Sequence, residues 1–324
     1  FIDSYHEMDM DMDAIYWNLE DTLMHFTMVN AKHMIPAFFD SKENYQLQKY
    51  VQLKGIYPFH ALQMIVNYGE RKRKKAFYAQ ELATEYKQKE AQIRGAMVGL
   101  MRRGYVFYNS KTGYIVLRDK AFHYVESRKG KKDFDIISIK SINPGGNLHN
   151  ATLNLETDKL VIRGVDKVNI SDSLGVYFEP ENREVTVLGD RDMEFNGIVY
   201  TDVYVFKGRN FKMSYDTFYI DLETIDSIQF TVLERDTITG EVIGRRKLDN
   251  QLTYAAGKLW IDDPSNKSGK ERNPQYPYFE TTKGAYVYFL KVLEQAYDST
   301  VYYEVPPFRT DSMSTNSVSY THLT

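Results

Sequence analysis

From Asp133 onward the chain is a succession of short apolar/polar alternations, and this pattern constrains the fold more than any other feature. Ile136–Ile139, Thr152–Leu155, Leu160–Arg163, Val168–Ile170 and Val176–Phe178 come first. Val185–Leu188, the region of Glu194 and Phe195, Asp202–Phe206, Phe211–Ser214, Phe218–Leu222 and Ser227–Phe230 follow. Gly, Asn and Asp turns separate them at intervals of roughly eight to ten residues, a spacing that marks an all-β unit. The abundance of Tyr (26) and Phe (18) agrees with strands. No helical crossover intervenes, which suits a β-solenoid somewhat better than a sandwich. The period is irregular, so a solenoid and other β architectures both stay open.

A basic block from Ile56 to Lys132 precedes this region. It reads as three helices and a two-stranded wing. The first helix is Pro58–Val66, the second holds Tyr78–Ala83, and the third runs from Glu90 towards Gly104. The wing strands are Tyr105–Tyr108 and Tyr114–Leu117. That order predicts a winged helix-turn-helix. The block carries 17 Lys and Arg against 6 Asp and Glu, a net of +11, while the rest of the chain carries 24 against 38, a net of −14. Such asymmetry is a hint of a polyanionic partner.

The residues before the block alternate as strands do: Met8-Asp9-Met10-Asp11-Met12-Asp13, then Ile15, Trp17 and Leu19. Glu20-Asp21 turns them into a second strand, Thr22–Val29, and Asp40-Ser41-Lys42-Glu43 has the spacing of a capping box at the start of a short helix. The expected fold class is therefore α+β. A β-hairpin and helix (1–55) lead into a winged helix-turn-helix (56–132), and a β-rich region (133–316) with a β-solenoid among its options comes next. The absence of cysteine excludes disulfides and Cys-bearing zinc sites. No apolar run approaches the roughly 20 residues of a membrane-spanning helix.

The face of the third helix sets two functions against each other. Ala91, Gly95 and Gly99 lie at four-residue spacing on one stripe. A base-reading helix presents Arg, Lys, Asn or Gln there, because those side chains reach base edges. Small residues instead permit close backbone approach, so this stripe is read as a protein-packing face. The rival reading is DNA binding through the winged helix, with Arg94, Arg102, Arg103 and Lys111 as phosphate contacts. The run Arg71-Lys72-Arg73-Lys74-Lys75 follows a helix, where cations also favour the macrodipole. Calcium-like spacing at Asp9-Met10-Asp11-Met12-Asp13 has Ala14 where the loop needs Gly, and reads as strand. The histidines show no metal-ligand or catalytic spacing, and no phosphate-cradling Gly motif or Gly-x-Ser-x-Gly elbow is present. The acidic pairs Asp190/Asp192 and Asp262-Asp263 read as solvated turns. No catalytic residue, metal site or cofactor is expected.

Several phrases carry a resemblance. They include Asn150-Ala151-Thr152-Leu153, Ile162-Arg163-Gly164-Val165, Phe195-Asn196-Gly197 and Phe206-Lys207-Gly208-Arg209-Asn210-Phe211. Farther on come Trp260-Ile261-Asp262-Asp263-Pro264 and Asn266-Lys267-Ser268-Gly269. Over most of residues 14 to 312 the chain resembles a family of very long, uncharacterised proteins from Bacteroidota. The resemblance implies a fragment of a large extracytoplasmic protein, with the winged helix structural and no catalytic residues to carry over. The final residues, Val318-Ser319-Tyr320-Thr321-His322-Leu323-Thr324, resemble the translation of a transposon-end sequencing adapter. Residues 317–324 are therefore expected to lie outside the fold. The expected function is structural or protein-interacting, the partner being protein, the rest of its own chain included. Nucleic acid is the less favoured partner.

Overall fold

The structure is a computed structural model. It describes residues 1–29, 35–142, 148–236, 239, 241–247, 252–288 and 302–311. The adapter-like tail lies outside the described residues. The chain divides into two compact units: Phe1–Ser41 with Ile136–Thr324, and Lys42–Asp135. The N-terminal strands thus belong to the same unit as the residues after 136, and the helical unit is inserted between them.

Five strands open the sheet unit: β1 (Ile2–Asp3), β2 (Met8–Asp11), β3 (Ala14–Trp17), β4 (Leu23–Thr27) and β5 (Ala37–Ser41). The helical unit then runs α1 (Leu47–Gln52), α2 (Ala61–Lys72), β6 (Ala76–Tyr78), α3 (Ala79–Tyr86), α4 (Glu90–Arg102), β7 (Val106–Asn109), β8 (Tyr114–Leu117) and α5 (Asp119–Arg128). The sheet unit resumes with β9 (Ser138–Ser141), β10 (Ala151–Asn154), β11 (Lys159–Arg163), β12 (Val168–Ser171), β13 (Val176–Pro180) and β14 (Glu184–Val187). The long strands β15 (Met193–Tyr200), β16 (Tyr204–Ser214) and β17 (Tyr219–Arg235) follow. Then come β18 (Val242–Lys247), β19 (Leu252–Thr253), β20 (Ala255–Trp260), β21 (Tyr278–Lys283), β22 (Ala285–Tyr288), β23 (Tyr302–Val305) and β24 (Arg309–Asp311).

The expected α+β architecture of a winged helix-turn-helix and a β-solenoid is corrected: the chain is mostly antiparallel β-sheet, and neither element is evident. Every ladder between named strands is antiparallel. The hairpins β10–β11, β12–β13, β15–β16 and β16–β17 close through turns of three or four residues. Such short turns can only join antiparallel neighbours, whereas a solenoid's parallel coils need a longer path back. The main ladder runs β3-β4-β10-β11-β14-β15-β16-β17-β20-β21-β24, and among the described residues no pairing returns from β24 to β3, so the sheet is not closed. A smaller sheet, β1-β2-β5-β9, contributes Met8, Met10, Phe39 and Ile139 to the same core.

The helical unit differs from three helices and a hairpin wing. It holds five helices and a three-stranded sheet of order β6-β8-β7, so the expected wing strands β7 and β8 are joined by a third strand, β6, on the far side of β8. Leu62, Ile65 and Val66 of α2, Ile93 and Met97 of α4, and Tyr124 and Val125 of α5 share one core with Phe77, Ile115 and Leu117. Alternation reveals a strand only when it is long enough, and Ala76–Tyr78 shows two apolar residues flanked by lysines and a helix start.

In the sheet unit, buried residues form cross-strand rows. One row is Val185, Ile162, Ala151, Phe26 and Ile15, each registered on the next across β14, β11, β10, β4 and β3. The first four are fully buried. Farther along, Gly197 and Gly208 face each other across β15 and β16, and the register shifts beside both. A Cβ on Gly197 would run into the Glu179 carbonyl oxygen, and one on Gly208 into that of Thr224. Gly197 also has φ +143°, a conformation in which side chains are strained. These bulges bend the long strands and tighten their twist. Replacing either glycine by alanine is expected to destabilise the sheet unit by about 3 kcal/mol, since the colliding groups are backbone and cannot swing aside. Denaturant unfolding of Gly197→Ala and Gly208→Ala, compared with Gly175→Ala in an open turn, measures it.

Candidate interaction surface

The strand β3 exposes apolar side chains on the sheet unit. It pairs with β4 in the register Ala14↔Thr27, Ile15↔Phe26, Tyr16↔His25 and Trp17↔Met24, and among the described residues no strand pairs with its other edge. Natural edge strands are blunted by charge, proline or bulges. Ala14-Ile15-Tyr16-Trp17 has none of these, and Ile15, Tyr16 and Trp17 are 40%, 50% and 50% exposed. Alternation puts Ile15 and Trp17 on the face of Phe26 and Met24, which pack into or against the core. Tyr16 lies on the opposite face with His25.

That opposite face holds a polar cluster. His25 and His149 stack with ring centres 4.3 Å apart, and Tyr16 lies 6.2 Å from His149. Thr27 Oγ1 and His149 Nδ1 share a hydrogen bond of 2.7 Å, and the Arg163 guanidinium donates to Thr152 Oγ1 at 3.0 Å. Burial lowers the pKa of His149 below its ordinary value, and the charges of His25 and Arg163 lower it further.

A second concavity, of about 470 Å³, opens beside the glycine bulges. Glu181, Glu184, Glu194 and Glu223 line it with Asn196 and Asn210. The carboxylates are already engaged in part. Glu194 binds Lys159 at 2.9 Å and Lys212 at 3.6 Å, and Glu184 binds Arg163 at 3.1 Å. The hydrogen bond from Lys159 holds the Glu194 carboxyl below its usual range. Asn196 Oδ1 accepts the Asn210 N–H at 2.9 Å, which fixes the bulge.

The residues singled out in the third helix fall on α4. Ala91 and Gly95 are exposed and Gly99 is half-buried. Gly95 does allow one close approach: a Cβ there would lie 2.8 Å from the Tyr57 hydroxyl oxygen. Arg94 is held by its own unit. Its Nε donates to Glu90 at 2.7 Å, its Nη1 to the Ser110 carbonyl at 3.0 Å, and its guanidinium covers Gly113. Arg102, Arg103 and Lys111 are exposed. Within the run 71–75, Arg71 and Lys72 pair with Glu85, Lys74 with Glu81, and Lys75 with Asp119. Each such exposed pair stabilises little, yet together they reduce the field a polyanion would meet.

Two buried polar centres escape a reading of the sequence. The Asp3 carboxylate accepts from His6 Nδ1 at 2.7 Å, while His6 Nε2 meets the Asp158 carbonyl at 2.8 Å. Burial alone would raise the Asp3 pKa, but the hydrogen bonds and charge of His6 outweigh it and the pKa is lowered. Asp262, expected to be solvated, is only 2% exposed. It accepts from Asn266 Nδ2 at 2.9 Å, Asn273 Nδ2 at 3.0 Å and the Asp263 N–H at 2.7 Å. Burial raises its pKa despite these donors. The loop after β20 is therefore held together from within. Among the described residues no group of three or more His, Asp or Glu side chains could hold a metal ion, and no helix is long and apolar enough to cross a membrane.

No protein family, curated protein or solved structure matches this chain.

The histidine cluster makes the β3 edge sensitive to acid. His149 has a folded-state pKa below the unfolded value of about 6.5, so as pH falls the unfolded chain takes up the proton first. The stability it contributes is complete above that value and declines on acidification through it. The chain is expected to melt at a lower temperature at about pH 5.5 than at about pH 7.5. Thermal melts of His149→Gln should show a narrower gap between the two pH values.

Proposed function

We propose that this chain is a structural, protein-interacting part of a large bacterial protein that works outside the cytoplasm, and that it catalyses no reaction. The observation that carries this reading is the apolar edge of β3, on which no strand pairs among the described residues. An edge of this kind is a template for main-chain pairing with another polypeptide. Several of the polar groups that converge elsewhere are engaged with one another. Both His6 nitrogens have partners, Asp262 is bound by amides, and Glu194 is held between two lysines. The extracytoplasmic setting and the larger parent protein rest on the family resemblance alone.

The test is the chemical class of whatever contacts β3. A photoreactive residue in place of Tyr16 in the full chain, activated in the producing cell, is expected to cross-link to polypeptide. Nucleic-acid adducts, or no adduct from this position, would overturn the reading.

The rival function, nucleic-acid binding by the basic helical unit, has Arg102, Arg103 and Lys111 as exposed contacts but much of its charge paired internally. A titration of the full chain with duplex DNA at about 50 and about 200 mM salt decides between them, since phosphate contacts make affinity fall steeply with salt. The expected result is no appreciable binding at the higher salt. Submicromolar, salt-steep binding would favour the rival.

A further inference from the structure

Resting on that interaction reading, we infer the chemistry of the strand that β3 receives: a segment of another polypeptide with two apolar residues at alternate positions, flanked at both ends by Lys or Arg. Two apolar rows lead to this. The row Val185, Ile162, Ala151 and Phe26 is fully buried and then ends at Ile15, 40% exposed. The next row runs Val187, Leu160, Leu153 and Met24, and ends at Trp17, 50% exposed. Leu160 and Val187 are fully buried, and Leu153 and Met24 pack against the core. Among the described residues both rows therefore run out at the same strand. One added strand would continue both, because residues registered on Ile15 and Trp17 point to the face they occupy and are themselves two apart. The residue between them falls opposite Tyr16, on the face of His25 and His149.

Charge specifies the flanks. The first 29 residues carry seven carboxylates (Asp3, Glu7, Asp9, Asp11, Asp13, Glu20 and Asp21) and no Lys or Arg. Asp11 and Asp13 lie just before β3, Glu20 and Asp21 just after it, and all four are exposed. Asp13 accepts the Val29 N–H and Asp21 the Leu23 N–H, so both carboxylates are held near the strand ends. Both ends of the strand are acidic, and basic flanks therefore complement it in either direction. The same distribution disfavours a second copy of this chain. Antiparallel pairing of β3 with its own copy sets Asp13 beside the Glu20 end of its mate, and like charges across a ladder are destabilising.

The experiment uses the unmodified full chain and end-blocked synthetic peptides. The probe is Lys-Arg-Thr-Val-Thr-Val-Thr-Arg-Lys. One control replaces its four basic residues by Glu, and another replaces its central Thr by Pro. Fluorescence anisotropy of labelled peptide measures affinity, and hydrogen exchange locates the site. The basic peptide is expected to bind at least about tenfold more tightly than either control, a difference of about 1.4 kcal/mol. Exchange should slow at residues 14–17. Ile15→Lys alters an exposed side chain, so its melting temperature should match that of the parent while peptide affinity falls about tenfold or more. Equal binding of the acidic peptide, protection confined elsewhere, or an Ile15→Lys chain that binds as before would overturn the proposal. So would a dimer in sedimentation that Ile15→Lys abolishes, since a second copy would then be the occupant. If the peptides fail while position 16 still cross-links to polypeptide, this strand chemistry is wrong and the interaction reading stands.

Discussion

Cross-strand registration of apolar side chains is the constraint on which the sheet unit depends. A slip of one residue in any ladder would carry every inward side chain to the opposite face. The row from Val185 to Phe26 spans four strands, with a fully buried residue at each step. Burying a Val, Ile or Phe side chain such as those of this row contributes roughly 1.5–3 kcal/mol. Phe26 and Ala151 are 125 positions apart in sequence, so this contact fixes the N-terminal hairpin in the sheet against a substantial entropic cost.

The glycine bulges and the aromatic residues act on that frame in opposite senses. At Gly197 and Gly208 the backbones approach closely and the ladder breaks step. On the strands beyond, Tyr219, Trp260 and Tyr278 register on one another across β17, β20 and β21, with ring centres 5.0 and 5.9 Å apart. Lys258 lies over Tyr219 and Arg309 over Tyr278, closing both ends of the stack. Each aromatic contact adds about 0.5–1.5 kcal/mol beyond the area it buries. The sheet thus bends where side chains are missing and stiffens where they are large.

Period-two alternation made most strands legible. Leu160–Arg163 and Val176–Phe178 fall within the observed β11 and β13, and the pair around Ile15–Trp17 and Thr22–Val29 forms the β3–β4 hairpin. Alternation says which residues face inward, yet it is silent on which strand lies alongside. A parallel coil and an antiparallel meander produce the same string, and only the pairing of strands across the short turns distinguishes them. The third strand of the helical unit, Ala76–Tyr78, was too short to register. Asp262 looked solvated because only the folded loop brings Asn266 and Asn273 back onto it. The stripe Ala91, Gly95 and Gly99 was visible as spacing, but spacing could not reveal that Tyr57 is the residue that approaches Gly95. The acidity of the first 29 residues was in plain view. That no strand pairs with the other side of β3 among the described residues is visible only in the folded sheet.

The helical unit holds its own ends together. Asn44 bridges to Asp135, the Tyr45 N–H donates to the Asp135 carbonyl at 2.9 Å, and the Asp135 N–H donates to Glu43 at 3.2 Å. Immediately outside, β5 pairs with β9. Closing a flexible loop as long as the inserted segment would cost about 4 kcal/mol in chain entropy before β5 and β9 could meet. An insert that folds first and clasps its ends removes most of that cost. The sheet then sees a connection of a few residues where the sequence has a whole unit. A segment built from contacts local in sequence is suited to forming before the distant partners β5 and β9 pair.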